Sequence, residues 1–174
     1  MSTKSKNQDA FDIPTHPMLW RGKDLLSQVA SSSANGAALS SGYQELDRHL
    51  HRGGWSQQGL MELLLPQAGI GQLRLLLPAL QQLTQSAYVA WINPPFIPYA
   101  TALKACGVNT DNLLVVRTRT HEETLWSMER CCLSNGCAGV MAWPEERKLN
   151  SKETRRIQLA ARRGTTLAML ISPS

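Results

Sequence analysis

The stretch from Gly59 to Leu83 has the layout of a phosphate-binding loop. An apolar run over Leu60–Leu65 predicts a mostly buried strand, and Gly69 and Gly71 permit a tight turn after it. The backbone N–H groups at the start of the following helix could bind an anion. Four leucines at helical spacing give that helix an apolar face: Leu73, Leu76, Leu77 and Leu80.

The side chains that would make this loop catalytic are missing. Gln72 and Leu73 stand where a phosphate-binding loop needs Lys and then Ser or Thr, so no amine neutralises phosphate and no hydroxyl holds magnesium. Glu62 is not a credible general base without that loop, and Trp143 at the end of the fourth strand takes the place of an aspartate. We therefore predict no nucleotide hydrolysis, while passive binding through the amides of residues 69–71 stays open.

Nucleophilic and metal chemistry are equally unsupported. The acidic pairs 122–123 and 145–146 have no acid or base partner in the sequence and are assigned structural roles, the first at a helix start. Neither the cysteines nor the histidines have metal-ligand spacing, so we predict reduced thiols packed mostly in the core, no metal and no cofactor. These residues are Cys106, Cys131, Cys132, Cys137, His16, His49, His51 and His121.

Composition points to a globular chain with a mildly basic surface. Hydrophobic residues make up 43% and charged residues 18% of the 174 residues, and the formal net charge is +5 with a pI near 9.3. This balance permits an acidic partner, whether protein or nucleic acid. The sequence has no apolar run long enough for a transmembrane helix and no signal peptide, so we expect a cytoplasmic protein.

The first 40 residues have the composition of a flexible tail. Ser27–Ser41 is a linker rich in serine and small residues, and we place the folded domain at residues 41–174. Within the tail, Leu19–Gly22 includes Trp20, the apolar centre of a polar segment. It is either a strap that packs on the domain or a short linear motif for a partner, which makes Trp20 a candidate partner-binding residue.

Strand and helix patterns alternate through the rest of the chain. This alternation predicts an α/β fold with a mostly parallel sheet of about five strands flanked by helices on both faces. Ser41 is expected to cap a short helix, Ser151 the last helix, and Trp55 to cover the sheet edge. The predicted strands are 60–65, 88–93, 113–117, 138–143 and 167–171, and the predicted helices are 70–84, 96–106, 121–134 and 151–163.

The carboxyl edge of this sheet is the preferred interaction surface, because ligands bind there in open α/β sheets. Pro94–Tyr99 places aromatic side chains on a rigid turn after the second strand. They are either interface anchors or a cover for the core. The partner-binding candidates at this edge are Phe96, Tyr99, Arg117, Arg119, Trp143 and Arg147.

The last helix has a basic face. Arg155 and Arg162 are spaced to share one side, and Lys152, Arg156 and Arg163 a neighbouring one. Such a helix could contact DNA phosphates weakly or an acidic partner, or it could be a solvated amphipathic helix. No aromatic residues are interleaved with the cations, so stacking on single-stranded nucleic acid is not supported.

Several stretches together resemble one family. They include LWRG at 19–22, SGYQELDRHLHRGGW at 41–55, GLMELL at 59–64, GIGQLRLLLPALQQL at 69–83, AWINPPFIPYATALKACGV at 90–108 and CAGVMAWPEE at 137–146. The combination is similar to the ImuA family, RecA-like proteins associated with error-prone translesion DNA synthesis. The last two-thirds of the chain also resembles SulA, the SOS-induced inhibitor that binds the division protein FtsZ.

The resemblance implies a RecA-like fold that has lost ATPase function and acts in the DNA-damage response by protein contacts. As an ImuA-like accessory the chain would contact RecA and an ImuB-type polymerase homologue. As a SulA-like inhibitor it would bind FtsZ and block its polymerisation. The segment Leu19–Trp55 favours the first function and the short C-terminus the second. A homodimer is compatible with either.

Overall fold

The structure is a computed structural model, and it describes residues 38–65, 71–144 and 148–173. The predictions made for Trp20, for Arg147 and for most of the glycine turn, residues 66–70, lie outside these ranges. The assignment of residues 1–40 to a flexible tail therefore stays a prediction, apart from its last residues. Ala38–Leu39 (β1) pairs antiparallel with Trp55–Ser56 (β2), so the end of the predicted linker belongs to the folded part.

A short helical connection joins β1 to β2. It contains the helix α1, Gln44–His49, and a 3-10 helix at His51–Gly53. Ser41 does not cap α1. Its hydroxyl instead accepts a hydrogen bond from the backbone N–H of Tyr43, which is the residue at the N-cap position.

Five parallel strands form the main sheet, as the alternating pattern predicts. Their order across the sheet is β3-β7-β6-β4-β5, and every neighbouring pair is parallel. The strands are β3 (Gly59–Leu65), β4 (Tyr88–Ile92), β5 (Leu113–Val116), β6 (Cys137–Ala142) and β7 (Leu167–Pro173).

Four helices cover the two faces of this sheet. Side chains of α2 and α3 pack in one apolar layer with Trp91 and Met141, whereas α4 and α5 pack in a second layer with Ile92 and Val140. Successive residues of a strand point to opposite faces, so β4 and β6 contribute to both layers. The helices are α2 (Gln72–Leu83), α3 (Ala100–Ala105), α4 (His121–Leu133) and α5 (Ser151–Gly164).

Two elements differ from the sequence-based expectation in extent or burial. β3 lies at one edge of the sheet, so its side chains are half-buried or exposed, and the prediction of a mostly buried strand was wrong. The helix expected over residues 96–106 begins only at Ala100. Proline at 94, 95 and 98 explains this delay, because proline disfavours a helical conformation in the residue before it.

The structure also corrects two roles that the sequence predicted for side chains. Asn150, not Ser151, is the N-cap of α5, where its side chain accepts from the N–H groups of Lys152 and Glu153. Trp55 does not simply cover the sheet edge. It is buried in the apolar layer next to α2.

Candidate functional site at the carboxyl edge of the sheet

The path of the chain opens a crevice at the carboxyl end of β4. From β4 the chain continues to α3 on one face of the sheet. From the neighbouring strands β5 and β6 it continues to α4 and α5 on the other face. Adjacent connections that leave in opposite directions create the crevice in which open α/β sheets bind ligands. The segment that emerges there is Asn93–Tyr99.

Asn93 holds the start of this segment in an unusual conformation. It is buried and its φ is 52°, in the left-handed region that asparagine tolerates better than most residues. Its Nδ2 donates to Thr118 Oγ1 at 2.7 Å and to Thr124 Oγ1 at 3.3 Å, and its Oδ1 accepts from Thr118 N at 2.8 Å. The side chain therefore ties the end of β4 to the loop after β5 and to α4.

A second contact and a helix cap reinforce this arrangement. Arg117 Nη1 donates to the carbonyl oxygen of Pro94 at 2.6 Å. Thr120 and Glu123 form a capping box at the start of α4, in which each side chain accepts from the backbone N–H of the other. Arg119 is exposed, and its backbone N–H donates to Glu123 at 2.7 Å. The side chains of Asn93 and Arg117 thus tie the base of the loop to the segment that follows β5.

The loop presents three large side chains to solvent. We call residues Pro94–Tyr99 the aromatic loop. Phe96 is 65% exposed, Ile97 87% and Tyr99 72%. The interpretation that Phe96 and Tyr99 cover the core is therefore wrong. Both side chains are accessible to a binding partner, which supports the alternative that they are interface anchors. Solvent-exposed aromatic side chains on a braced loop are typical of protein-binding surfaces.

A groove of about 370 Å³ lies between this loop and α2. Two tryptophans contribute to its wall, and their rings meet edge to face with centroids 5.7 Å apart. Trp143 is only 7% exposed, so the prediction that it is a surface anchor was wrong. Within the described residues its indole N–H has no hydrogen-bond partner, and neither has that of Trp91. The groove is lined by Gly71, Leu73, Arg74, Trp91, Trp143 and the aromatic loop.

Sequence reasoning missed some of the residues that make this site. Asn93 was assigned only to the end of a strand, although asparagine before two prolines is a recognisable turn signal. Arg74 was read only as part of the α2 helix, and its place in the groove follows from the packing of that helix against the loop. Ile97, the most exposed of the three side chains, was not named as a candidate because an isolated aliphatic residue gives no signal.

The cations of α5 form a separate surface. Lys152, Arg156 and Arg163 line one groove between α4 and α5, as their spacing predicts, and Arg155 lines it as well. Arg162 is exposed but does not line the groove, so the expectation that Arg155 and Arg162 form a side of their own holds only in part. Arg156 forms an ion pair with Glu129 of α4, and this guanidinium lowers the pKa of the Glu129 carboxyl.

The described residues contain no cluster of three or more histidine, cysteine or acidic side chains that could hold a metal ion. His121 Nε2 lies 3.2 Å from Glu153 Oε1, which links α4 to α5. Burial raises the pKa of the Cys132 thiol to about 12, as expected for a core residue, whereas Cys106 is exposed rather than packed. Across residues 38–65, 71–144 and 148–173, no helix is long and apolar enough to span a membrane.

Fold and site together define the class of protein. It is a parallel α/β protein whose carboxyl edge, the usual ligand site of such sheets, carries an exposed aromatic loop. A family model described as "Cell division inhibitor SulA" matches residues 60–168, and the chain belongs to this family.

Individual relatives agree with this assignment. The chain is 30% identical over 101 residues to the cell division inhibitor SulA of Yersinia pestis (strain Pestoides F) and to that of Yersinia pseudotuberculosis serotype I (strain IP32953). The alignment spans 58% of this chain and 59% of each relative. The crystal structure of SulA from Pseudomonas aeruginosa superimposes with a TM-score of 0.55 at 21% identity, covering 66% of this chain and 98% of that one, which supports the fold.

Of the two functions that the sequence suggested, these comparisons support the division inhibitor, which was the alternative. The preferred sequence-based interpretation, an ImuA-like accessory of translesion synthesis, gains no support from them and stays a prediction.

Proposed function

We propose that this protein inhibits cell division by binding FtsZ and blocking its polymerisation, and that it does so in the cytoplasm as part of the SOS response. Membership of the SulA family supports the activity, and the matched region, residues 60–168, includes the whole aromatic loop. The observation that carries the proposal is the exposure of Phe96, Ile97 and Tyr99 on a braced loop. The mechanism is stoichiometric occupation of a surface of the partner, and it requires no catalysis.

The aromatic loop suits this role for an energetic reason. Aromatic side chains that become buried at the centre of an interface contribute about 2 kcal/mol or more each. Binding usually loses part of this gain to the ordering of loops. Here the prolines of the loop and the Arg117 contact to Pro94 O already restrict the backbone before the partner arrives. Two such anchors make the loop the expected energetic centre of the interface.

Sedimentation of FtsZ polymers with GTP tests the proposal. The wild-type protein at stoichiometric concentration is expected to reduce the polymer pellet. The double variant Phe96→Ala/Tyr99→Ala is expected to leave the pellet unreduced at the same concentration, because the loss of about 2 kcal/mol at each of two anchors weakens the affinity about 1,000-fold. Tyr88→Ala is the matched control, because Tyr88 is also an exposed tyrosine but lies at the start of β4, at the opposite edge of the sheet.

Two outcomes would contradict the proposal at different levels. If stoichiometric wild-type protein leaves the FtsZ pellet unchanged, the proposed division-inhibitor function is wrong. The ImuA-like alternative is then tested by a pull-down, which should recover RecA and an ImuB-type polymerase homologue. Inhibition that Tyr88→Ala weakens as much as the double variant does would keep the function but place its surface elsewhere.

A further inference from the structure

A second groove, of about 510 Å³, runs between α4 and α5, away from the aromatic loop. Its walls combine apolar and cationic side chains. Leu133 of α4 and Leu159 of α5 both line the groove and are both 40% exposed. Trp126, two helical turns before Leu133 on the same side of α4, is exposed as well, with the guanidinium of Arg130 5.5 Å from its ring centre.

The charge of this groove is positive. Among the described residues, Lys152, Arg155, Arg156 and Arg163 line it, and Glu129 contributes the one carboxylate. Glu129 is already paired with Arg156. Lys152, Arg156, Leu159 and Arg163 recur at helical spacing, so that one stripe of α5 carries a leucine between cations.

Close packing of the two helices fixes the shape of the groove. A Cβ atom on Gly164, the last residue of α5, would lie 1.6 Å from the carbonyl oxygen of Cys132, so only glycine permits this approach. Thr166 Oγ1 donates to the same carbonyl oxygen at 2.9 Å. The Arg156–Glu129 ion pair and the approach of His121 Nε2 to within 3.2 Å of Glu153 Oε1 join the helices at other points. The groove is therefore present before any partner binds.

We propose that this groove binds an acidic amphipathic helix of a protein partner. The apolar face of such a helix would cover Leu133 and Leu159, and its carboxylates would lie next to Lys152, Arg155 and Arg163. An amphipathic helix in a groove between two helices is a recurring mode of peptide recognition. The surface is separate from the aromatic loop, and the inference does not depend on the proposed contact with FtsZ.

Charge decides against other occupants. A second copy that docked by the same groove would bring four cations against four cations. The chain's own Leu19–Gly22 segment carries the cation Arg21 and no carboxylate, and so does not complement the groove. DNA could contact the cations of the groove but would leave Leu133 and Leu159 uncovered, whereas the apolar face of an amphipathic helix would bury them.

The test measures binding of labelled peptides to the full chain by fluorescence anisotropy. The probe is a helix of about 18 residues with leucines at positions i, i+3, i+4 and i+7 and glutamates at the exposed positions. One control has the same composition with the leucines scattered around the helix. The other replaces the glutamates by lysines. The acidic amphipathic peptide is expected to bind at least about tenfold more tightly than either control.

Substitutions then locate the site. Leu159→Ala and Arg163→Glu are each expected to weaken binding of the acidic peptide about tenfold. Arg162→Glu is the matched control, since it makes the same charge change on the neighbouring, exposed residue that does not line the groove. Circular dichroism is expected to show the same helix content for all three variants, because each side chain is exposed.

Three results would overturn the inference. The first is acidic peptide binding no tighter than that of the lysine peptide. The second is equal weakening by Arg162→Glu and Arg163→Glu, which would indicate a general charge effect. The third is binding of a DNA duplex of about 16 base pairs more tightly than the peptide, with a steep salt dependence that signals phosphate contacts.

Discussion

Replacement of Asn93 tests how the structure holds the aromatic loop in place. The Asn93→Ala variant removes both contacts of Nδ2 to threonine hydroxyls and leaves the backbone N–H of Thr118 without its acceptor, the side-chain oxygen Oδ1 of Asn93. The backbone at this position has φ 52°, which alanine adopts less readily than asparagine. The variant therefore combines lost hydrogen bonds with backbone strain.

The expected loss of stability follows from these two contributions. The lost side-chain hydrogen bonds together contribute about 2 kcal/mol to the free energy of unfolding. The strain of alanine in the left-handed region adds about 1 kcal/mol. Asn93→Ala is thus expected to lower the free energy of unfolding by about 3 kcal/mol. Asn93→Gly loses the same hydrogen bonds without the strain and is expected to lower it by about 2 kcal/mol.

Urea denaturation followed by tryptophan fluorescence measures both values. The exposed Asn135→Ala, at the turn after α4, is the control and is expected to change the free energy by less than about 0.5 kcal/mol. A loss below about 1 kcal/mol for Asn93→Ala would refute the reasoning about hydrogen bonds. An alanine variant as stable as the glycine variant would refute the reasoning about strain.

Two further predictions concern α4. Thr120→Ala removes the capping box and is expected to lower the free energy of unfolding by about 1 kcal/mol. Thr120→Ser keeps the hydroxyl and is expected to keep most of the stability. Equal losses of stability in the two variants would contradict the assignment of Thr120 as the helix cap. The neighbouring Cys137 thiol lowers the pKa of Cys131 to about 7, so native alkylation of Cys131 by iodoacetamide is expected to accelerate as the pH rises through this value. Mass spectrometry is expected to find the buried Cys132 unmodified until the protein unfolds, and equal labelling of both thiols in the native state would contradict the assignment.

The elements of the sheet could be predicted from local sequence because each strand is a short apolar run bounded by proline, glycine or asparagine. Helix α2 followed from its leucines, of which Leu76 and Leu80 are fully buried. The order of the strands could not be predicted in the same way, since β3 pairs with β7 through residues far apart in the chain. The edge position of β3, and with it the exposure of Glu62, depends on that order.

The position of the aromatic loop could be predicted from sequence, whereas its role as a partner-binding site stays a prediction. Aromatic side chains on a proline-rich turn after a strand were enough to identify the aromatic loop. The burial of Trp143 was predictable in principle, because it follows Met141 by two residues and side chains alternate along a strand, so both face the layer next to α2. The α4–α5 groove was not predictable from the sequence, since the pairing of Glu129 with Arg156 depends on how the two helices pack.

Hydrogen–deuterium exchange of the protein with and without FtsZ tests the central claim most directly, because it shows which backbone amides the partner protects. The account predicts slower exchange over residues 93–99 and at the neighbouring Arg117–Arg119 segment when FtsZ is bound. Unchanged exchange in both segments, with protection confined to another surface such as the α4–α5 groove, would contradict the claim that the aromatic loop is the FtsZ-binding surface.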